Sequence, residues 1–287
     1  MKLFVTGANG YIGKNFIKKA SIKGFKIFAL TRKKKNKKMR NVKWLVGSLN
    51  KNWKELKQTD VLIHFAAVGG YKRFSSFDEC YNFNVLKSKR LLDNSIKNGC
   101  NKMLIISTKK EKKIKNLKIN KKLIKSYEKK PDYIYALTKA MFTKICLNYS
   151  KENKYLKLRV IRLYHVYGGD EKKTRLWPSL IHAAKNNKNF KMTPGNQKTD
   201  FNYINDVINS LIDATNFRKK NRKFPQVWDM CSGKTMSVKN FAQIIWSKIN
   251  PKSKLIFSKT KNYDDKNYKT SKKYFWKINY TNPELTV

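Results

Sequence analysis

The amino-acid sequence predicts an α/β protein with a doubly wound parallel sheet and a smaller C-terminal α/β region. Three observations predict this fold class. Short apolar runs alternate with segments of helical periodicity through the first half of the chain, as in proteins whose parallel strands are joined by helices. A glycine-rich turn, Thr6–Gly13, joins the first apolar run to the first helical segment. After Gly168 the regular alternation ends, which predicts a second region with a different arrangement.

Each strand predicted in the first half is a short run rich in apolar residues. Val61–Phe65 is apolar almost throughout, as expected for a parallel strand buried on both faces. The other predicted strands are Leu3–Val5, Lys26–Leu30, Val42–Val46, Met103–Ile106 and Leu158–Leu163. The predicted helices of this half are Asn15–Lys23, Asn82–Lys97 and Tyr135–Tyr149. The order of these elements predicts right-handed crossovers between parallel strands.

The second half contains fewer strands, and its elements are separated by turns. Predicted helices there are Trp177–Lys185, Asp206–Thr215 and Val238–Lys248, and predicted strands are Val227–Met230 and Leu255–Phe257. Thr193–Asn196 contains Pro and Gly and is predicted to be a turn. The lysine-rich segment 109–130 is interpreted as a solvated basic loop, with a short amphipathic helix as the alternative.

The composition limits the classes of partner. The formal net charge is +48, yet the basic residues are 57 Lys and only 9 Arg, and base readout and bidentate phosphate recognition favour Arg. The lysines are spread along the chain beside abundant Asn and Ile. We therefore attribute most of the charge to coding bias and expect no specific nucleic-acid partner. Coding bias does not fully explain why the chain has only 18 Asp and Glu residues.

The same composition bears on compartment and metal content. The longest apolar run, Val61–Gly70, is well short of the ~20 residues of a membrane helix and contains His64. We therefore expect no membrane insertion and a cytoplasmic location. Four cysteines lie far apart and form no C-x-x-C pair. They are interpreted as free thiols in a reducing compartment, and no metal site is predicted.

The turn Thr6–Gly13 has the pattern of a dinucleotide-binding loop. Gly7 permits the tight turn, Gly10 lets the backbone approach the phosphates, and Gly13 lets the helix pack closely on the strand. The N-terminus of the next helix offers unpaired N–H groups to an anion. The strand before the turn and the helix after it satisfy the context that this motif requires. The turn therefore predicts a Rossmann sheet that binds a dinucleotide, with Asn9, Tyr11 and Ile12 as further contacts.

A second pattern predicts proton-transfer chemistry. Tyr135 and Lys139 are four residues apart and share one face of a predicted helix. A nearby ammonium lowers the pKa of a phenol, so the tyrosine can exchange a proton with a sugar or carbonyl oxygen while hydride moves to or from nicotinamide. Thr108, at the end of the fifth strand, would hydrogen-bond the same oxygen. These three residues are the candidate catalytic group.

These motifs resemble those of the extended short-chain dehydrogenases/reductases in the NAD-dependent epimerase/dehydratase family. The T-G-x-x-G-x-x-G, H-x-A-A, R-x-x-x-V-Y-G and G-x-Q-x-x-D-F patterns are found at Thr6–Gly13, His64–Ala67, Arg162–Gly168 and Gly195–Phe201. The resemblance covers about residues 1–250. It implies a nucleotide-diphosphate-sugar substrate and a homodimer. It also adds cofactor contacts at Ser48, Leu49, Phe65, Ala66, Ala67 and Asn84, besides Tyr135 and Lys139, and substrate contacts at His165, Lys198 and Thr199.

The resemblance also implies a division of the chain. Residues 1–168 would bind the dinucleotide, and residues 200–230 would pack back onto that domain. Residues 169–199 and 231–287 would form the substrate-binding region.

The end of the second strand indicates which dinucleotide is used. Enzymes that prefer NAD usually have an acid there, which binds the ribose 2′-hydroxyl. This strand ends Leu30-Thr31-Arg32, and Arg32 could hold a 2′-phosphate instead. We therefore predict that NADP(H) is preferred, with NAD(H) possible. The alternative is that Arg32 is simply part of a basic loop.

The two residues after Thr108 narrow the choice of reaction. Dehydratases of the family carry an Asp-Glu pair there, whereas this chain has Lys109-Lys110, so dehydration is not expected. Together with Arg32, the resemblance to deoxysugar 4-ketoreductases of this family implies the NADPH-dependent reduction of a nucleotide-linked 4-keto-deoxysugar for surface polysaccharide of the O-antigen type. One alternative is a nucleotide-sugar epimerase that retains its dinucleotide. The other is a catalytically degenerate NAD(P)-binding or polyanion-binding protein, because Thr199 replaces the arginine with which the family grips the substrate diphosphate.

Overall fold

The computed structural model describes residues 1–33, 38–70, 76–114, 124–125, 131–218, 223–259 and 275–287. The chain forms two compact units. The first contains Met1–Arg162 and Leu211–Trp228, and the second contains Leu163–Ser210 and Asp229–Val287. The chain therefore leaves the first unit after Arg162, returns to it at Leu211, and leaves it again after Trp228.

The strands are short, as expected for runs bounded by turn residues. They are β1 Lys2–Thr6, β2 Lys26–Thr31, β3 Val42–Val46, β4 Val61–His64, β5 Lys102–Thr108, β6 Lys157–Leu163, β7 His165–Tyr167, β8 Phe190–Met192, β9 Lys198–Tyr203, β10 Gln226–Cys231, β11 Thr235–Ser237, β12 Leu255–Phe257 and β13 Phe275–Lys277. Among the described residues, eight of them form one sheet in the order β3-β2-β1-β4-β5-β6-β10-β13.

The order of the large sheet reverses beside β1. The strand pairs in parallel with β2, where Leu3 faces Ile27, and with β4, where Leu3 faces Val61. The chain thus builds outward through β2 and β3 and then returns to the other side of β1. The carboxyl ends of strands that flank such a switch point form a crevice, which is where ligands bind in open α/β sheets.

The helices are distributed over both units. They are α1 Tyr11–Ile22, α2 Phe77–Tyr81, α3 Ser88–Lys97, α4 Pro131–Glu152, α5 Leu176–Lys185, α6 Ile204–Ala214 and α7 Val238–Ile249. A π-helical turn, Asn82–Lys87, joins α2 to α3, and 3-10 turns occupy Lys54–Gln58, Lys109–Lys113 and Pro283–Thr286. In the described part of the chain, no helix has the length and apolar character needed to cross a membrane.

The predicted elements are all present, and two helices differ in an informative way. The first helix begins at Tyr11 instead of Asn15 because its opening turn lies within the glycine motif, where the Lys14 N–H donates to the carbonyl of Gly10. The helix predicted over Asn82–Lys97 begins at Phe77, with Ser76 as its N-cap, and widens into the π-helical turn. Its hydrophobic periodicity alone contains no sign of that widening.

The core of the first unit lies between the sheet and its helices. All four residues of β4 are buried, and side chains such as Phe4, Leu62 and Phe142 belong to one cluster with Val160. Arg159 is also fully buried. Its guanidinium donates to the carbonyl of Ala214 at 2.7 Å, to Oε1 of Gln226 at 2.9 Å and to the carbonyl of Asn216 at 3.4 Å. The returning segment 211–228 therefore supplies three hydrogen-bond acceptors to this buried strand residue.

The second unit has its own aromatic core. The rings of Phe201 and Phe241 stack with centroids 4.0 Å apart, and Tyr167 meets Phe241 edge-on at 4.9 Å. Strand β9 lies between β7 and β11 in a three-stranded sheet. The C-terminal segment is held to the same unit because Asp206 accepts hydrogen bonds from the N–H and the hydroxyl of Thr281.

Part of the lysine-rich segment is ordered differently from a solvated loop. Residues Lys109–Lys113 form a 3-10 turn in which Lys109 and Glu111 are buried. Most of the remainder, residues 115–123 and 126–130, lies outside the described residues.

Candidate cofactor and catalytic site

In the glycine turn of the first unit, backbone atoms lie so close to Gly7 and Gly13 that neither position has room for a side chain. Gly7 has a φ of +67°, and a β carbon there would lie 2.7 Å from the backbone nitrogen of Ala66. A β carbon on Gly13 would lie 2.3 Å from the carbonyl oxygen of Gly7. The Gly10 N–H donates to that same oxygen at 2.8 Å. Strand β1, the turn and α1 are thus brought into direct backbone contact.

The N-terminus of α1 is suited to an anion. Gly10 caps the helix in an extended conformation, and among the described residues no side chain caps it and no acid lies in its first turn. The first N–H groups of the helix therefore keep their partial positive charge. The cradle of three glycines and this helix N-terminus together fit the pyrophosphate of a dinucleotide. Tyr11 and Ile12 begin the helix and are half-buried.

The other candidate cofactor residues lie at three strand ends. Asn9 donates from Nδ2 to Oγ1 of Thr31, which ties the glycine turn to the end of β2 and leaves Arg32 exposed just beyond. After β3, Ser48 is exposed and bonds Asn50, whereas the side chain of Leu49 is part of the buried core. After β4, Phe65 is half-buried, Ala66 is buried and Ala67 is exposed.

A buried histidine joins three elements beneath this edge. His64 Nδ1 lies 2.8 Å from Oγ1 of Thr6, and Nε2 lies 3.1 Å from Oγ of Ser88. Since the Ser88 hydroxyl donates to the carbonyl of Phe83, Nε2 carries the proton and Nδ1 accepts from Thr6. Burial lowers the pKa of His64 to about 3, so the ring is neutral and its role is to join β1, β4 and α3.

Asn84 is placed to hold the segment after β4. It is buried within the π-helical turn. Its Oδ1 accepts from the Val68 N–H at 2.9 Å, and its Nδ2 donates to the Val68 carbonyl and to Oγ1 of Thr138, each at 3.0 Å. Thr138 lies on α4 between Tyr135 and Lys139, so this amide links the loop after β4 to the helix with the candidate catalytic pair. A π-helical turn at such a position is typical of functional sites.

Helix α4 carries the candidate catalytic pair. Tyr135 is half-buried, and its ring lies against Gly70, where an added β carbon would stand 3.4 Å from Cζ and 3.6 Å from Oη. Lys139 is 2% exposed, and its Nζ donates to the carbonyl of Ile106 at 2.8 Å. Thr108 ends β5, the strand that contains Ile106, and its Oγ1 accepts from the Lys110 N–H at 3.3 Å. The strand end and the helix face predicted from sequence are therefore adjacent.

The electrostatics of this pair depend on a residue that the sequence patterns did not single out. Burial lowers the pKa of Lys139, and the carboxyl of Glu111 opposes that shift. Glu111 is itself 7% exposed and accepts hydrogen bonds from Ser107 and, at 2.7 Å, from Thr143. The sequence around Glu111 gives little indication of this contact, since Glu111 is a single acid inside a run of lysines. Ser107 and Thr143 are brought to it by the packing of β5 against α4.

The three candidate substrate residues belong to the second unit. His165 begins β7 and faces Phe201 of β9 across a parallel pair, with ring centroids 4.8 Å apart. Lys198 and Thr199 begin β9, where Lys198 is exposed and Thr199 is buried opposite Met236 of β11. Next to them, the carboxylate of Asp200 accepts from Oγ of Ser232 and from the N–H of Gly233. Asp200 thus fixes the start of β9, from which Lys198 extends.

In the described part of the chain, no three His, Cys, Asp or Glu side chains are grouped as metal ligands would be. The four cysteines are buried free thiols.

Comparison with known proteins agrees with the family resemblance. Residues 3–225 match the model of the NAD dependent epimerase/dehydratase family. The chain is 26% identical over 269 residues to a CDP-abequose synthase of Salmonella muenchen, covering 92% of this chain and 86% of the relative. It is 27% identical over 263 residues to the CDP-abequose synthase of Salmonella typhimurium, covering 89% and 83%.

Solved structures share the fold. A dTDP-glucose 4,6-dehydratase from Bacillus anthracis in complex with NAD has a TM-score of 0.75 at 20% identity, covering all of this chain and 95% of that one. A UDP-glucose 4-epimerase from Thermotoga maritima with UDP-glucose has a TM-score of 0.74 at 17% identity, covering 94% and 90%. The predicted α/β Rossmann fold class is confirmed.

Proposed function

The chain belongs to the NAD-dependent epimerase/dehydratase family, and from that premise we propose that it is an NADPH-dependent reductase of a nucleotide-diphosphate-linked 4-keto-deoxysugar. The observation that carries this proposal is the placement of Tyr135 and Lys139 one turn apart on α4, beside the strand end that holds Thr108. The names of the two curated relatives, both CDP-abequose synthases, support a deoxysugar nucleotide as the substrate class.

The dinucleotide would be held by the glycine turn and by the strand ends around it. The fit rests on the cradle at Gly7, Gly10 and Gly13, which a β carbon would fill, and on the N-terminus of α1. We propose that Arg32 selects NADP(H) by pairing with the 2′-phosphate, since a guanidinium suits a phosphate and the strand end carries no acid. When bound, the nicotinamide supplies the hydride of the reduction.

The catalytic residues then have separate roles. Tyr135 donates its phenolic proton to the carbonyl oxygen of the sugar as that oxygen gains negative charge. Lys139 stabilises the phenolate that remains, because an ammonium near a phenol favours its ionised form. Thr108 orients the same oxygen through its hydroxyl. The ring of Tyr135 lies against Gly70, where a β carbon would stand 3.6 Å from the phenolic oxygen, so the segment after β4 passes close to the phenol.

The residues after Thr108 support reduction over dehydration. Loss of water from a sugar needs a general acid and a general base near the reacting carbons. Here Lys109 is buried, and the ammonium of Lys110 pairs with Asp132 at 2.6 Å. Neither lysine offers a carboxyl group for that chemistry, whereas reduction needs only the tyrosine proton and the hydride.

The second unit would bind the nucleotide-sugar. We assign His165, Lys198 and Thr199 to this role by their positions at the starts of β7 and β9. Lys198 is exposed and supplies a positive charge for the diphosphate. Thr199 supplies a hydroxyl where the family carries arginine, so diphosphate recognition would rest on a point charge and not on a bidentate fork.

The proposal is tested by measuring NADPH and NADH oxidation against CDP-, dTDP-, GDP- and UDP-linked 4-keto-6-deoxysugars. We expect NADPH oxidation with one of these sugars and its loss in Tyr135→Phe. The matched control is Tyr133→Phe, which removes a hydroxyl from the same helix two residues earlier and is expected to retain the rate. No net oxidation but an altered sugar, detected by NMR, would replace the reductase with an epimerase. Dinucleotide binding with no change in any sugar would support a degenerate binding protein.

A further inference from the structure

Glu111 is a buried acid that the proposed chemistry does not use. It lies on the 3-10 turn Lys109–Lys113, directly after β5, and is 7% exposed. Four of the five residues in that turn are lysines, and Glu111 is buried together with the first of them, Lys109. A buried carboxylate is unfavourable unless hydrogen bonds and opposite charge compensate it, so its partners indicate why it is there.

The partners of Glu111 are the two elements that carry the candidate catalytic residues. On one side the Ser107 hydroxyl donates to its Oε1, and Ser107 immediately precedes Thr108 on β5. On the other side the Thr143 hydroxyl donates to the same oxygen at 2.7 Å, and Thr143 lies one helical turn beyond Lys139 on α4. One oxygen of the Glu111 carboxylate thus joins β5, the strand that ends at Thr108, to α4, the helix that carries Tyr135 and Lys139.

The charge of Glu111 also meets a need of Lys139. The ammonium is 2% exposed and donates to a neutral group, the carbonyl of Ile106. A buried ammonium next to neutral groups tends to lose its proton. The groups that face this pair are the Cys146 thiol on α4 and the Arg162 guanidinium on β6, and His64 on β4 also interacts with Lys139. Burial raises the pKa of Cys146 and lowers that of His64, so both are neutral. Burial also raises the pKa of Glu111, but the hydrogen bonds from Ser107 and Thr143 and the charge of Lys139 favour its ionised form. Glu111 is therefore the carboxyl group whose charge can stabilise the Lys139 ammonium.

We propose that Glu111 is a positioning residue, which keeps the buried Lys139 protonated and holds it in register between β5 and α4. In its catalytic part this inference rests on the proposed function, because the protonated lysine is what makes Tyr135 an effective proton donor. Its structural part, the coupling of a buried acid to a buried base, stands without any turnover. The two parts are therefore tested by different measurements.

The first test is a double-mutant cycle on the free energy of unfolding at pH 7. Glu111→Gln keeps the shape and the two hydrogen bonds but leaves the Lys139 cation without its anion, so the protein is expected to lose stability. Lys139→Met removes the cation instead. We expect the double variant to be more stable than Glu111→Gln alone, because neither buried charge then remains. Losses that simply add would overturn the proposal, whether or not a substrate is ever found.

The second test is the pH dependence of kcat/KM for sugar reduction, which requires both the Tyr135 phenol and the Lys139 ammonium to be protonated. Removing a nearby negative charge makes either group lose its proton more readily. The alkaline limb of the profile in Glu111→Gln is therefore expected to move to lower pH by about one unit. An unmoved limb would leave Glu111 a purely structural residue and overturn the catalytic part.

Two further variants separate charge from packing. Thr143→Val removes one hydrogen bond to Glu111 but keeps its charge, so it is expected to lower thermal stability without moving the alkaline limb. Glu171→Gln neutralises another buried acid, one that pairs with Arg175 in the second unit, and is expected to leave the limb in place. If all three variants moved the limb alike, the shift would reflect general loss of packing, and the assignment to Glu111 would be wrong.

Discussion

Asn84 binds both backbone groups of Val68, accepting from its N–H at 2.9 Å and donating to its carbonyl at 3.0 Å. Val68 lies beyond the end of β4, and Asn84 bonds its backbone N–H and carbonyl as a neighbouring strand would. The same amide donates to Thr138 on α4. The side chain of Asn84 thus holds the chain between Ala67 and Gly70 in place beside the ring of Tyr135.

Replacing Asn84 with alanine should therefore lower the stability of the folded protein. Three hydrogen bonds are lost and both Val68 backbone groups lose this partner, so we expect Asn84→Ala to reduce the free energy of unfolding by about 3 kcal/mol. Urea unfolding followed by tryptophan fluorescence measures this. Asn82→Ala is the matched control, since Asn82 is exposed in the same π-helical turn and should change stability by less than about 0.5 kcal/mol. Equal losses of stability in the two variants would show that the hydrogen bonds of Asn84 to Val68 and Thr138 do not stabilise the fold.

Gly13 permits no larger residue. An alanine β carbon would stand 2.3 Å from the carbonyl oxygen of Gly7, and this backbone contact can be relieved only by moving α1 away from β1. We expect Gly13→Ala to cost about 3 kcal/mol of stability and to weaken NADPH binding, as measured by the quenching of protein fluorescence. Gly169→Ala, with nothing within 4 Å of the added carbon, should change neither. Unaltered NADPH affinity in Gly13→Ala would mean that the cradle is not the dinucleotide site.

The dinucleotide preference is expected to depend on Arg32. This side chain is exposed immediately after β2, next to the Asn9–Thr31 contact. Loss of a guanidinium–phosphate pair should weaken NADPH binding about tenfold in Arg32→Ala and leave NADH binding nearly unchanged. Titration calorimetry with both dinucleotides measures the two affinities. Lys33→Ala removes an adjacent exposed charge and controls for general attraction of anions. Parallel losses for NADPH and NADH would show that Arg32 does not read the 2′-phosphate.

His64 should make the protein sensitive to acid. Its pKa is lowered to about 3 by burial, from an ordinary value of 6.5, so the unfolded chain binds a proton that the folded chain excludes between those values. Stability contributed by the neutral ring is complete above pH 6.5 and is lost as the pH falls, by up to about 1.4 kcal/mol per pH unit.

The difference between variants isolates that contribution. His64→Gln can still accept from Thr6 and donate to Ser88 but does not titrate, so its unfolding free energy should fall less steeply between pH 6 and pH 4. His182→Gln, a change at an exposed histidine, should retain the wild-type slope. Equal slopes for wild type and His64→Gln would show that the buried ring is not the group responsible.

Much of the sheet could be predicted because its strands are local apolar runs. β3 and β12 have the predicted bounds, Val42–Val46 and Leu255–Phe257. The placement of Tyr135 and Lys139 on one helix also follows from their spacing. These features depend on residues close together in the chain, for which periodicity is informative.

The features that escaped prediction depend on residues far apart in the chain. Glu111 lies within a lysine run that favoured a solvated loop, and its burial depends on Thr143, 32 residues away. The π-helical turn at Asn82–Lys87 has the hydrophobic pattern of an ordinary helix. What distinguishes it is the hydrogen bonding of Asn84 to Val68, 16 residues earlier in the chain, which hydrophobic periodicity does not predict.

The hydrogen bonds of Arg159 bear on how this chain can be dissected. Three acceptors of its hydrogen bonds, on Ala214, Gln226 and Asn216, lie on the segment that returns to the first unit after 48 residues in the second. A fragment that stopped at Arg162 would strand a guanidinium in the interior with those acceptors missing. The first unit therefore cannot be removed from the chain by one cut or transferred to another protein as one continuous segment. A chimaera that keeps it intact needs junctions on both sides of residues 211–228.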